Sequence, residues 1–177
     1  MEKRRGANRV KHNTLLVCIA MLTAFVMTGC APVISREALR EVDQDVRFEQ
    51  LLKDPQAYQG RAVLLGGDII ETQNFPEKTL IVVLQRPLDF RKKPAAEDAS
   101  KGRFIIYVLG FLDPAIYRPR RKVTVVGSVL GKEVRPLDEI EYSYPIIDKR
   151  ELYIWPSEES SATGPRVHFG VGIGIGF

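Results

Sequence analysis

Five apolar runs between residues 61 and 155 constrain this chain more than any other feature. They read RAVLLGGDIIET (61–72), TLIVVLQ (79–85), RFIIYVLGF (103–111), KVTVVGSVLGKEV (122–134), and SYPIID with ELYIW (143–148 and 151–155). Runs rich in Val, Ile and aromatic residues, separated by Gly, Pro and charged clusters, read as β-strands. Paired Gly66 and Gly67 inside the first run predict a bulge or a sharp bend. Lys149-Arg150 interrupts the last run, as either a tight turn or a bulge. Between the third and fourth runs, Asp113 can cap a short helix with Pro114 at its first position. Ahead of all the strands, VRFEQLLK (46–53) spaces apolar residues 48, 51 and 52 on one helical face, and Asp54-Pro55 stops it.

The element order is three strands, a short helix and two strands, with a glycine bend in a long first strand. The expected fold is mainly β: a small OB-like five-stranded Greek-key barrel with one or two short helices. Closing a small sheet into a ring removes edges that would otherwise pair with other chains. An open antiparallel sheet or a β-sandwich is the alternative. DPQAY (54–58) and DPAIY (113–117) share one pattern ahead of an apolar strand, which reads as one local device used twice rather than as a duplicated domain. Each Tyr can pack over a barrel end with its hydroxyl toward water.

Two strands are apolar on both faces. In TLIVVLQ, Leu80, Val82 and Leu84 share one face and Ile81 and Val83 the other, and RFIIYVLGF behaves likewise. A half-exposed strand alternates apolar and polar residues. Something must therefore cover the outer wall: the Phe48/Leu51/Leu52 helix, the C-terminal tail, or a partner, including a second copy of the chain.

The amino-terminal segment poses a separate problem. Lys3, Arg4, Arg5, Arg9 and Lys11 precede an uncharged stretch, TLLVCIAMLTAFVM (14–27), then Thr28, Gly29 and Cys30. A basic region, an apolar core and small residues make a secretory signal. The core is shorter than the ~20 residues of a spanning helix. Thr14 to Ile34 is nevertheless uncharged throughout, which leaves an uncleaved anchor as an alternative. An ordinary secretory signal with a chance cysteine is another. The ending resembles the bacterial lipoprotein signal, in which an apolar residue and two small residues precede Cys. That resemblance implies cleavage between Gly29 and Cys30, a diacylglyceryl group on the Cys30 sulfur and an acyl group on its new amine. Ala31, where Asp would retain a lipoprotein in the inner membrane, implies the outer membrane by the same resemblance.

Removing residues 1–29 takes away five of 26 basic and one of 22 acidic residues, leaving 21 of each. A balanced chain gives no general attraction for nucleic acid, which depends on many Lys and Arg contacts to phosphate. Cys18 and His12 lie in the same segment, so Cys30 and His168 remain. No disulfide, multi-His metal site or Cys/His nucleophile can be assembled from them. Asp138, Glu139 and Glu141 sit near a turn and read as a solvated acidic loop rather than an acid/base pair. Arg118, Arg120, Arg121 and Lys122 form the densest basic cluster, and Arg91, Lys92 and Lys93 a second; both read as solvated or as contacts for lipid phosphate. No glycine pattern makes a phosphate loop. The tail from Phe169 to Phe177 alternates apolar residue and glycine. It reads either as a weak strand pairing with another chain or as a mobile end.

FEQLLKDPQAYQGRAVLLGGDII, TLIVVLQRPLD, GRFIIYVLGFLDPAIY, KVTVVGSVLG and EYSYPIIDKRELYIWP, taken in order with Cys30, resemble the starvation-inducible outer-membrane lipoproteins called Slp. The resemblance covers residues 28 to 156 and excludes the tail beyond Pro156. It implies an outer-membrane lipoprotein linked to stationary phase or stress, without catalytic residues or cofactor. Cys30 is the one functional position it transfers. The expected organisation is a signal peptide (1–29), a lipidated tether (30–45), a β-barrel domain (46–156) and a Gly-rich tail (157–177). Its expected role is non-enzymatic: a membrane-anchored domain facing the periplasm that stabilises the envelope or recruits a partner. The alternative is a module binding a small ligand, a glycan or a lipid headgroup.

Overall fold

The computed structural model describes residues 32–96 and 99–157. Cys30 and most of the C-terminal tail lie outside them. Helix α1 spans Arg36–Glu41 and helix α2 spans Phe48–Lys53, followed by a 3-10 turn at Pro55–Tyr58. The strands are β1 (Ala62–Asn74), β2 (Lys78–Gln85), β3 (Arg103–Leu109), β4 (Lys122–Leu137) and β5 (Ile140–Ile154). They close into a ring in the order β1-β2-β3-β5-β4, antiparallel except for β3 against β5. The expected five-stranded barrel is thus present.

Strand β1 closes the ring by changing partner. Residues 62–68 pair with β4 and residues 67–74 with β2. The exchange falls on the glycine pair. A Cβ on Gly67 would lie 1.9 Å from the carbonyl oxygen of Leu84, and one on Gly66 2.7 Å from Leu88. No side chain fits at either point, which is the physical content of the predicted bend.

Alternation then sorts the side chains. Val63, Leu65, Ile81, Val83, Phe104, Ile106, Val123, Val125 and Ile147 point inward and make one core with Phe48 and Leu51 of α2. Each such side chain stabilises the fold by roughly 1.5–3 kcal/mol relative to exposure. Phe48 meets Phe104 edge-on, with centroids 6.0 Å apart. Helix α2 therefore plugs the barrel interior and does not cover its outer wall.

Two outer walls have separate covers. On the first, Leu80, Val82 and Ile105 are buried beneath Tyr144, with Tyr107 and Tyr142 beside them. The distal half of the β4–β5 hairpin supplies this cover. At one corner the backbone N–H of Arg103 donates to the Tyr142 hydroxyl at 2.9 Å. At the other, Arg135 donates to the Gln73 side chain at 3.1 Å. The need for a cover was legible in the sequence; among the described residues the hairpin provides it rather than the Phe48/Leu51/Leu52 helix, and the tail beyond residue 157 lies outside those residues.

The second wall, formed by β1, β4 and β5, lies under two local segments. Ile34 and Ala38 are buried against Val126, with Leu64 and Tyr153 alongside. Residues 33–42, expected to be tether, therefore pack on the sheet. Ser35 caps α1 by accepting from Ala38 N–H at 3.0 Å, and its own N–H donates to Glu151 at 2.8 Å. Arg150 pairs with Glu41, and Arg61 with Asp43. The rest of this wall is covered by the β2–β3 loop, where Leu88 and Pro94 bridge across Gly66 and the Thr124 hydroxyl donates to Lys92 O at 2.6 Å.

Three local expectations resolve differently from one another. Lys149-Arg150 is a bulge: register against β4 shifts between Val126 and Gly127, and β5 runs unbroken from Ile140 to Ile154. The helix expected at Asp113 is only a turn. Asp113 does cap it, its carboxylate accepting from Ala115 N–H at 2.8 Å and its carbonyl from Tyr117 N–H at 2.9 Å. Pro119 disfavours helical geometry at Arg118, and so short a segment cannot offset helix nucleation. The twin segment, Pro55–Tyr58, does complete a 3-10 helix under Asp54. Both Tyr58 and Tyr117 pack against the main core.

Candidate functional site

The β3–β4 connection carries the surface chemistry. At its start Leu109, Phe111 and Ile116 are exposed, by 78%, 71% and 48%. The β1–β2 turn lies beside it, since Gly110 N–H donates to Glu77 O at 2.8 Å and Asn74 donates to Leu112 O at 3.0 Å. That turn presents Phe75, also exposed, with the Lys78 ammonium 5.4 Å from its ring centroid. One pole of the barrel thus bears an apolar rim.

Past Tyr117 the same connection turns basic and runs along β1, Arg120 N–H donating to Ile69 O at 2.9 Å. Here Arg118, Arg120, Arg121 and Lys122 line a cleft of about 580 Å³ together with Arg86 and Lys93 from the β2–β3 loop. Sequence reasoning found Lys93 and the 118–122 cluster separately, but missed Arg86 and the convergence of all three. Arg91 and Lys92 stay outside the cleft. Asp68 is the one carboxylate among the described lining residues. It accepts from Arg86 Nε at 2.8 Å and Lys122 Nζ at 2.9 Å. Arg120 adopts φ 69°, a left-handed conformation costing on the order of 1 kcal/mol for a residue with a side chain. Arg121 donates to Trp155 O at 2.8 Å and Ile116 O at 3.3 Å, while its buried Nε has no acceptor.

The acidic residues do not converge on anything. Asp138 and Glu139 form the exposed two-residue turn of the β4–β5 hairpin, and Glu141 follows on an exposed position. Among the described residues no three His, Cys, Asp or Glu side chains are grouped to hold a metal, and no helix is long and apolar enough to cross a membrane. His168 and Cys30 lie outside the described residues.

Residues 27–171 match the family described as outer membrane lipoprotein Slp. The chain belongs to the Slp family. The match continues past Pro156 to residue 171, beyond the limit that the strand motifs marked. Among curated relatives, an uncharacterized protein of Haemophilus influenzae is 35% identical over 96 residues, or 54% of this chain and 52% of that protein. The chain thus spans about half the length of that relative. An uncharacterized lipoprotein of Escherichia coli, YeaY, is 28% identical over 146 residues, or 82% of this chain and 75% of that protein. Slp family membership makes the chain an outer-membrane lipoprotein of the bacterial envelope.

Proposed function

We propose that this Slp family chain is a lipid-anchored, non-catalytic barrel that docks an envelope partner at the periplasmic face of the outer membrane. Cleavage falls between Gly29 and Cys30, and Cys30 carries the acyl chains. Two or three chains hold a protein firmly, since each buried methylene contributes about 0.8 kcal/mol. Only residues 31–33 separate Cys30 from Ile34, which is buried in the second wall. An extended four-residue reach is at most about 14 Å. The short connection limits how far that wall can stand from the bilayer.

The observation that carries the docking role is the exposed group Phe75, Leu109, Phe111 and Ile116 on two adjoining turns. Large apolar side chains clustered at exposed turns mark interaction surfaces. Intact mass and membrane fractionation of wild type and Cys30→Ser test the anchor: wild type carries the acyl mass in the outer-membrane fraction, and the variant loses both. Crosslinking from position 111 in whole cells tests the docking. A Phe111-dependent adduct with a second protein is expected, and its absence in wild type sinks the docking role. The basic cleft favours a second reading, a ligand-binding module.

A further inference from the structure

We propose that the cleft between β1 and the 118–122 segment is a binding site for a phosphate-bearing anion. Among the described residues, six cationic side chains and one carboxylate line it. Asp68 is already shared between Arg86 and Lys122, which leaves Arg120 and Arg121 without a carboxylate among the described residues. Lys93 and Arg118 hold other interactions within the chain, so an incoming anion shares them.

Two features show the site is built rather than incidental. In extended chain, neighbouring side chains point to opposite faces. The left-handed turn at Arg120 breaks that rule and lets residues 120, 121 and 122 line the same cleft. Arg121 is clamped by two carbonyls yet keeps one buried N–H without an acceptor. Buried donors without partners are rare, and this one marks Arg121 as held in place by its two carbonyl contacts rather than by a full set of hydrogen bonds.

The ligand class follows from the donors. Guanidinium forks match phosphate oxygens with two parallel hydrogen bonds, and several such forks favour a multiply charged group. The volume fits a small ligand rather than a bare ion. Ile69, Ile70, Leu84 and Pro156 add an apolar side for the group that bears the phosphate. A free phosphoester and the headgroup of an anionic lipid share this chemistry. The site deepens the ligand-binding reading, and only its lipid arm depends on membrane anchoring.

Trp155 is the chain's single tryptophan, with its carbonyl on Arg121 and Lys93 Nζ 5.9 Å from its ring. Its fluorescence therefore reports on the cleft. The full chain in nonionic detergent micelles is titrated with inorganic pyrophosphate, and separately with phosphatidylglycerol mixed into the micelles. A saturable change is expected, weakened at least tenfold in Arg118→Gln/Arg120→Gln and unaltered in Lys53→Gln. Should the double variant melt early by circular dichroism, the single exposed Arg118→Gln variant carries the comparison, with a severalfold loss expected. A response to pyrophosphate assigns a free phosphoester; a response to phosphatidylglycerol alone assigns a lipid headgroup. No saturable response from folded protein in either arm overturns the site, as does a response indifferent to the arginines. Loss of acylation at Cys30 shows in the intact mass and leaves the pyrophosphate arm unaffected.

Discussion

The two outer walls of the barrel are buried to similar depth by different means. Over β1, β2 and β3 the cover is the distal half of the β4–β5 hairpin, whose two strands pair antiparallel from Val123–Ile154 to Leu137–Ile140 with two bulges on the way. Over β1, β4 and β5 the cover is a six-residue helix and a loop, held by Ile34, Ala38, Leu88 and Pro94 and by side-chain contacts at the rim. The hairpin cannot leave without breaking its ladder from the tip downward. The α1 segment can leave alone, because few of its backbone groups join the sheet; Asp43 N–H to Ala62 O, at 2.9 Å, is one. A shared degree of burial thus conceals unequal local stability.

Substitutions can sharpen or break that contrast. Tyr144→Ala, which empties the centre of the hairpin cover, should destabilise the whole domain by about 4 kcal/mol in urea unfolding, as one cooperative transition. Gly66→Val should cost about 2–3 kcal/mol, because the new side chain meets Leu88 and the Val123 carbonyl. Ile34→Ala should cost about 2 kcal/mol or less in the global transition. Hydrogen exchange in it should accelerate at residues 33–42 while strand amides stay protected, and uniform acceleration would erase the contrast. Arg135→Ala, at the hairpin corner, should cost about 0.5 kcal/mol. Smallest is Glu49→Gln. Lys101 bonds to Glu49 and holds its carboxyl below the usual glutamate value. The pair's contribution is therefore present at neutral pH and fades as acidification passes through that lowered value. Both groups are half exposed, so the wild-type difference from Glu49→Gln should vanish in high salt.

Legibility followed the range of the interactions. Strands 79–85 and 122–134 were readable because period and composition are local. The bend was readable because only glycine tolerates the approach of Leu84 O to position 67. The doubly apolar face of TLIVVLQ announced a cover, yet its identity depended on Tyr144, some sixty residues away, meeting Leu80. Asp138, Glu139 and Glu141 read as a solvated acidic loop and are exposed at the hairpin turn, but their charge masked the inward alternation of Tyr142 and Tyr144 that follows. The basic cleft was half legible: residues 118–122 stood out as a run, but Arg86 and Lys93 joined them only when the β2–β3 loop folded back over Gly66.

The hairpin over β2 and β3 occupies the surface where OB folds take oligonucleotides and oligosaccharides. Joined covalently to the strands it shields, it behaves as a resident competitor at an effective concentration on the order of millimolar. A polymer or sugar approaching that wall must displace Tyr142 and Tyr144 first.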